Sequence, residues 1–137
     1  MSSDTVEPAE PVGIVLVSHS AELASGLRDL LGQLGVAADA VAVAGGTEDG
    51  GLGTSYDLID AAIRRVDRGS GVAVLPDLGS SVLTARAVLA ERNRPDLVLV
   101  DAPFVEGAVA AAVLAATGAP LAAVITAAEQ AREARKF

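Results

Sequence analysis

The feature that most limits what this chain can become is a short apolar run, Val12-Gly13-Ile14-Val15-Leu16-Val17, ended abruptly by Ser18-His19-Ser20. The run is β-branched and continuous. A strand with one wet face would alternate apolar and polar residues, so this one reads as covered on both sides, as parallel strands inside an open sheet are. After it, Leu23, Leu27, Leu30, Leu31 and Leu34 fall on one helical stripe, with Ser20 placed to cap its start and Gly35 to stop it.

The strand-then-helix alternation repeats to the C-terminal end. Further strands are expected at 41–44, 71–75, 97–100 and, introduced by Pro120, 121–125; helices are expected at 55–67, 80–92, 105–116 and from Ala127 onward. Such alternation predicts an α/β fold, a doubly wound, mainly parallel open sheet with helices on both faces and right-handed crossovers. It also leaves room for an antiparallel edge strand. A length of 137 residues accommodates one domain, assigned to 12–137. Residues 1–11 carry Asp4, Glu7, Glu10 and two prolines without an apolar period, and read as a disordered tail.

Composition removes several function classes. Ten basic against 18 acidic side chains give a net charge of −8, with no Lys/Arg cluster to meet a phosphate backbone, so nucleic acid is not expected as a partner. The absence of Cys excludes disulfides, iron–sulfur clusters, thiolate zinc sites and cysteine nucleophiles, and fits a reducing, cytoplasmic setting. One His leaves no multi-histidine metal site. The longest apolar run, 108–116, is far short of the roughly 20 residues that span a bilayer, and the acidic start does not resemble a signal peptide, so no membrane insertion is expected.

In open α/β sheets ligands bind beyond the carboxyl ends of the strands. Three loops there are unusual: Ser18-His19-Ser20, the Gly-rich stretch 45–55, and Pro76-Asp77-Leu78-Gly79-Ser80-Ser81. They are expected to converge. A lone histidine is ordinarily a surface or structural residue, but His19 stands at the tip of a buried strand between two hydroxyls, where an oriented imidazole can act as nucleophile or proton carrier. Asp77 is placed to accept the N–H of one ring nitrogen, leaving the other free; its plainer reading is a turn or helix-capping carboxylate.

The Gly-rich loop matches neither a phosphate-binding P-loop nor a dinucleotide fingerprint, since the only Lys is Lys136 and the spacing after Gly53 is wrong. Its backbone amides, with Thr54 and Ser55 at a helix start, nevertheless suit a small anion, and Gly79-Ser80-Ser81 makes the same offer at the next helix. Turn-making and capping are the plainer roles. Together the loops fit a phosphoryl group on imidazole: His19 attacks in line, while amides and hydroxyls, those of Ser18 and Ser20 included, balance the equatorial oxygens. A cation held by Glu48, Asp49 and Asp77 fits less well. No metal and no permanently bound cofactor are expected, only a covalent phosphoryl group on His19.

The stretches Gly13-Ile14-Val15-Leu16-Val17-Ser18-His19-Ser20, Ala44-Gly45-Gly46-Thr47-Glu48-Asp49-Gly50, Gly53-Thr54-Ser55, Asp77-Leu78-Gly79-Ser80 and Ala102-Pro103-Phe104-Val105-Glu106-Gly107-Ala108 resemble the mannose-type IIA domains of the bacterial sugar phosphotransferase system. Within that family the resemblance is greatest to the phosphotransfer subunits of phosphoenolpyruvate-dependent dihydroxyacetone kinases, and it extends over about 12–128. It implies that His19 takes a phosphoryl group from the histidine carrier protein HPr and passes it to ADP held in a nucleotide-binding kinase subunit. It further implies that Asp77 orients His19, that Gly46, Thr54, Ser55, Gly79 and Ser80 surround the phosphoryl group, and that the protein is a homodimer, for which 108–116 is a suitable surface. The chain departs from the family pattern at Pro76, at Ser81-Val82-Leu83-Thr84 and in the extra residues before Val12. Three other readings compete: a IIA component of a mannose-type sugar transporter, a receiver-like domain, and an anion-binding module whose histidine is never phosphorylated. The receiver reading lacks its acidic cluster after the first strand and its lysine after the last.

Overall fold

A computed structural model describes residues 10–137, so the tail expected at 1–11 lies almost wholly outside the described residues. Four parallel strands, β1 (Gly13–Ser18), β2 (Val41–Gly45), β3 (Val72–Pro76) and β4 (Leu97–Leu99), form one sheet in the order β2-β1-β3-β4. Every residue of β1 is buried, as its unbroken apolar run requires. Ile14 and Leu16 point to one face, where they meet α1 (Ala21–Gln33), α4 (Phe104–Ala116) and α5 (Leu121–Gln130). Val15 and Val17 point to the other, against α2 (Tyr56–Val66) and α3 (Gly79–Arg92), whose Ile59, Ile63, Ala85 and Val88 are also buried. The expected doubly wound α/β architecture is therefore present.

The strand order positions the site. From β1 the chain runs through α1 to β2 on one side, then through α2 to β3 on the other side of β1. The carboxyl ends of β1 and β3 thus border the crevice where the winding reverses, the place at which open α/β sheets bind ligands. Ser18-His19-Ser20 and Pro76-Asp77 are the segments that emerge there.

Two expectations need correction. The strand expected at 121–125 is the first half of α5, and no antiparallel edge strand follows β4 among the described residues. A five-residue apolar run has no period of its own that separates strand from buried helix. The residues beyond it decide: Val124 and Ala128, four apart, are both buried, and Leu121 and Ile125 pack beside them. Pro120, at φ −72°, caps the start without an amide that a helix would leave unsatisfied. The approach is close at the sheet, because a Cβ on Gly71 would lie 2.8 Å from Leu121 Cδ2 and 3.0 Å from the Asp96 carbonyl oxygen. The second correction concerns α1, whose buried face is Ala24, Leu27 and Leu31, whereas Leu23, Leu30 and Leu34 of the expected stripe are exposed.

The stretch 108–116 also serves the chain's own core more than the sequence pattern indicated. Ala108, Ala111, Ala112 and Ala115 are buried beneath α4, where small side chains let α5 and the sheet come close.

Candidate active site

The site is built from the ends of β1 and β3 and the first turn of α3. His19 and Asp77, 58 positions apart in sequence, meet with Nδ1 of His19 2.9 Å from Oδ1 of Asp77. The imidazole is 27% exposed and the carboxylate 7%, so the ring is presented to solvent on a buried anionic support. A carboxylate only accepts, hence Nδ1 carries a proton, and in the neutral ring Nε2 carries the lone pair.

Asp77 is itself held by a dense set of donors. Its Oδ2 accepts from the Ser18 hydroxyl at 2.8 Å and the His19 amide at 3.1 Å. Its Oδ1 accepts from the Ser81 hydroxyl at 2.8 Å and the Leu78 amide at 2.7 Å, in addition to the His19 ring. Burial works against the charged form. The hydrogen bonds from Ser81, from the His19 ring and amide, and from Ser18 outweigh it and hold the carboxyl at about 2, below the ordinary 3.8.

The expected residues gather at this crevice but divide into different tasks. Ser80 Oγ contacts Nε2 of His19, the ring atom opposite the one bonded to Asp77. Thr54 Oγ1 lies 3.1 Å from Ser80 Oγ and 3.4 Å from Ser81 Oγ, which brings the end of the Gly-rich loop to the same place. Gly79 and Ser80 open α3, so their amides have no acceptor within the helix. Ser18 is fully buried; its hydroxyl donates to Asp77 and accepts from the Ser20 amide at 3.0 Å. Ser20 Oγ caps α1 through the Leu23 amide, and Ser55 Oγ caps α2 through the Leu58 amide while donating to Glu48.

The Gly-rich loop turns its amides inward instead of cradling an anion with them. Those of Gly46 and Gly53 are donated to the Ser18 and His19 carbonyls, each at 3.0 Å, and those of Thr47 and Gly51 to partners inside the loop. Gly46 is required there for its backbone: it sits at φ +72°, and a Cβ would lie 2.6 Å from the Gly51 carbonyl oxygen. The loop thus braces the β1 tip. Glu48 and Asp49 are engaged with Ser55, Thr47 and Gly51, and among the described residues no three His, Cys, Asp or Glu side chains come together as a metal set.

Ser81 was expected only as part of the anion cradle at the helix start, and its role toward Asp77 is one that the sequence reading did not assign. It is fully buried, donates to Asp77 and stands 3.3 Å from Nδ1 of His19. The signal available was its spacing: four residues after Asp77 at a helix start, it is the position whose side chain reaches back over the preceding turn.

Comparison with known proteins finds relatives of one family. The family model EIIA-man, "PTS system fructose IIA component", matches residues 13–125. The chain is 38% identical over 105 residues to "PEP-dependent dihydroxyacetone kinase 1, phosphoryl donor subunit DhaM" of Listeria innocua, covering 76% of this chain and 82% of that one. It is 36% identical over 112 residues to "PTS-dependent dihydroxyacetone kinase, phosphotransferase subunit DhaM" of Lactococcus lactis, covering 82% and 89%. Against the Escherichia coli phosphoryl donor subunit DhaM, identity is 36% over 132 residues, which is 91% of this chain but 28% of that relative. Among solved structures, the unknown-function protein EF1359 superposes with a TM-score of 0.76 at 31% identity, covering 88% of this chain and 94% of that one.

Proposed function

The chain belongs to the EIIA-man family of phosphotransferase-system IIA components, and from that premise we propose that it is the phosphohistidine relay of a phosphoenolpyruvate-dependent dihydroxyacetone kinase. The observation that carries the reading is the pairing of Nδ1 with Asp77, which aims an unprotonated Nε2 at the opening of α3. In the charging step the Nε2 lone pair attacks the phosphorus carried on the histidine of HPr. The donor's P–N bond breaks and its electron pair returns to the donor imidazole. The phosphorylated His19 ring then carries a positive charge, which the Asp77 carboxylate balances through Nδ1–H.

Nε2 can reach the donor's phosphorus only if the Ser80 hydroxyl moves aside, and the same hydroxyl, with the amides of Gly79 and Ser80 and with Thr54 beside it, is then placed to donate to the phosphoryl oxygens. In discharge, a β-phosphate oxygen of ADP on the kinase subunit attacks the phosphorus, and the P–N electron pair returns to Nε2. Ser18, Ser81 and the Gly46 turn act one layer back, by fixing Asp77 and the tip of β1. In this reading the protein works in the cytoplasm as a homodimer, with HPr and the ADP-loaded kinase subunit as its partners and no resident cofactor.

The test is intact-mass spectrometry at alkaline pH after mixing the chain with phosphoenolpyruvate, enzyme I and HPr, then adding the ADP-loaded kinase subunit. The expected result is one phosphoryl group, absent in His19→Ala and discharged by the kinase subunit. The family model's description, a fructose IIA component, favours a second reading, a IIA component of a sugar transporter, which would hand the phosphoryl group to a IIB domain. A phosphorylated chain that only the IIB domain discharges would select that reading, and an unlabelled chain would refute both.

A further inference from the structure

A cavity that joins apolar walls to one uncommitted charge is the usual form of a small-molecule site. Three cavities of the described surface each contain a basic residue, and what that residue already holds separates them. Between the end of α1 and the start of β2, Arg28 donates to the Ala38 carbonyl at 2.8 Å. Between α4 and the C-terminal segment, Lys136 is paired with Glu106 at 3.3 Å. In the third, a cavity of about 350 Å³ at the carboxyl ends of β3 and β4, Arg86 makes neither a hydrogen bond nor an ion pair among the described residues.

Its apolar wall includes Pro76, Val82 and Leu99, and its polar groups are Asp77, Arg86 and Asp101. Val82 and Arg86 stand one turn apart on α3. A helical side chain leans toward the N-terminus of its helix, so the guanidinium reaches back over Val82 toward the ends of the strands. Neither carboxylate is committed to it. Asp77 is taken by its five donors on the His19 side, and Asp101, its side chain 93% exposed, pairs with Arg132 at 3.4 Å. The two carboxylates nevertheless limit what Arg86 can take. A phosphate dianion meets about twice the repulsion from them that a carboxylate monoanion does, and inorganic phosphate has no carbon to lay against Val82 and Leu99. A volume near the lower end of the small-ligand range admits only a short body.

We propose that this cavity binds a small aliphatic monocarboxylate, with the carboxylate on Arg86 and the carbon chain against Val82 and Leu99. His19, Ser80 and Thr54 do not line it, so it is a second site and not an extension of the phosphoryl site. Asp77 is the wall common to both. The site stands on this geometry, whereas its coupling to His19 rests on the phosphohistidine reading: charging the ring adds net negative charge across that wall, so ligand and phosphoryl group weaken each other by the same factor.

The experiment titrates the full chain with butyrate at neutral pH and constant ionic strength, followed by proton–nitrogen correlation NMR. Saturable shifts of the Val82, Leu99 and Arg86 signals are expected, with a Kd of about 1–10 mM. Arg86→Gln is expected to bind at least about tenfold more weakly and Arg86→Lys, which keeps the charge without the planar fork, about threefold more weakly. Arg65→Gln, which removes an exposed cation of α2, is expected to bind as wild type does. Butanol, with the chain but no charge, and inorganic phosphate, with charge but no chain, should each bind at least about tenfold more weakly than butyrate. No saturable shift with butyrate, equal affinity in Arg86→Gln, or phosphate binding as tightly as butyrate would overturn the site. The chain phosphorylated by phosphoramidate is expected to bind butyrate about threefold more weakly than the uncharged chain, and equal affinity in the two forms would overturn the coupling. A chain that phosphoramidate does not label at His19 would remove the phosphohistidine reading and the coupling with it, the site itself being decided by Arg86→Gln.

Discussion

Replacing Asp77 by Asn separates the charge of this residue from its shape. The carboxylate accepts five hydrogen bonds, two of them from backbone amides, His19 N–H on Oδ2 and Leu78 N–H on Oδ1. An amide has one oxygen. If its NH₂ takes the Oδ2 position it faces the His19 amide; if it takes the Oδ1 position it faces the Leu78 amide and forces the ring to give up the Nδ1 proton. The second arrangement moves that proton to Nε2 and occupies the nucleophile's lone pair. A carboxyl held at about 2 against an ordinary 3.8 is worth about 2 kcal/mol at about 1.4 kcal/mol per tenfold change in proton affinity.

The direction with pH follows from the folded value lying below the unfolded one. The contribution of Asp77 is fully present above about 3.8 and is lost as the pH falls toward 2. Urea denaturation of wild type and Asp77→Asn, repeated from pH 7 downward, should therefore give a stability gap of about 2 kcal/mol at neutral pH that closes between about 3.8 and 2. Phosphorylation by HPr, read by intact mass, should fall on the order of 100-fold or more at pH 7 because the ring loses its orientation and tautomer. A gap of the same size at every pH, or a variant phosphorylated at the wild-type rate, would refute the role given to the charge.

Two other changes test the support around it. Ser81→Ala removes a buried donor to Asp77 and should cost about 1–2 kcal/mol in urea denaturation while raising the lower limit of the acid decline from about 2 toward 3.8, whereas a purely packing role for Ser81 would leave that limit unmoved. Gly46→Ala places a Cβ at φ +72° against the Gly51 carbonyl and should destabilise by at least about 1–2 kcal/mol, with slower charging of His19 because the loop that braces the β1 tip is displaced; unchanged stability and rate would show the turn to be plastic.

What the sequence disclosed and what it concealed divide along physical lines. The first strand was legible because an unbroken β-branched run has few destinations, and the position of His19 followed from where that run stops. The approach of Asp77 followed from topology, since both ends border the point at which the winding reverses. Helix α5 was not legible from Leu121 to Ile125 alone, because five apolar residues fit either a strand or a buried helix, and the deciding burial of Ala128 lies past the run. Nor was the inward use of the Gly46 and Gly53 amides, because composition shows that a glycine loop has free backbone groups without showing where they turn. Ser81 was legible only as part of the turn that opens α3, and since it stands where the chain departs from the family pattern, similarity gave no pointer to its burial and its reach back to Asp77.

Both halves of the His19–Asp77 pair hang from interior strands, each flanked by a neighbour, while β2 and β4 stand at the edges of the sheet. Edge strands fray first, and their amides exchange with solvent through small local openings. Strands bonded on both sides exchange only when much of the domain opens. The spacing between imidazole and carboxylate therefore persists for as long as the fold itself does, and local breathing at the rim passes without disturbing it.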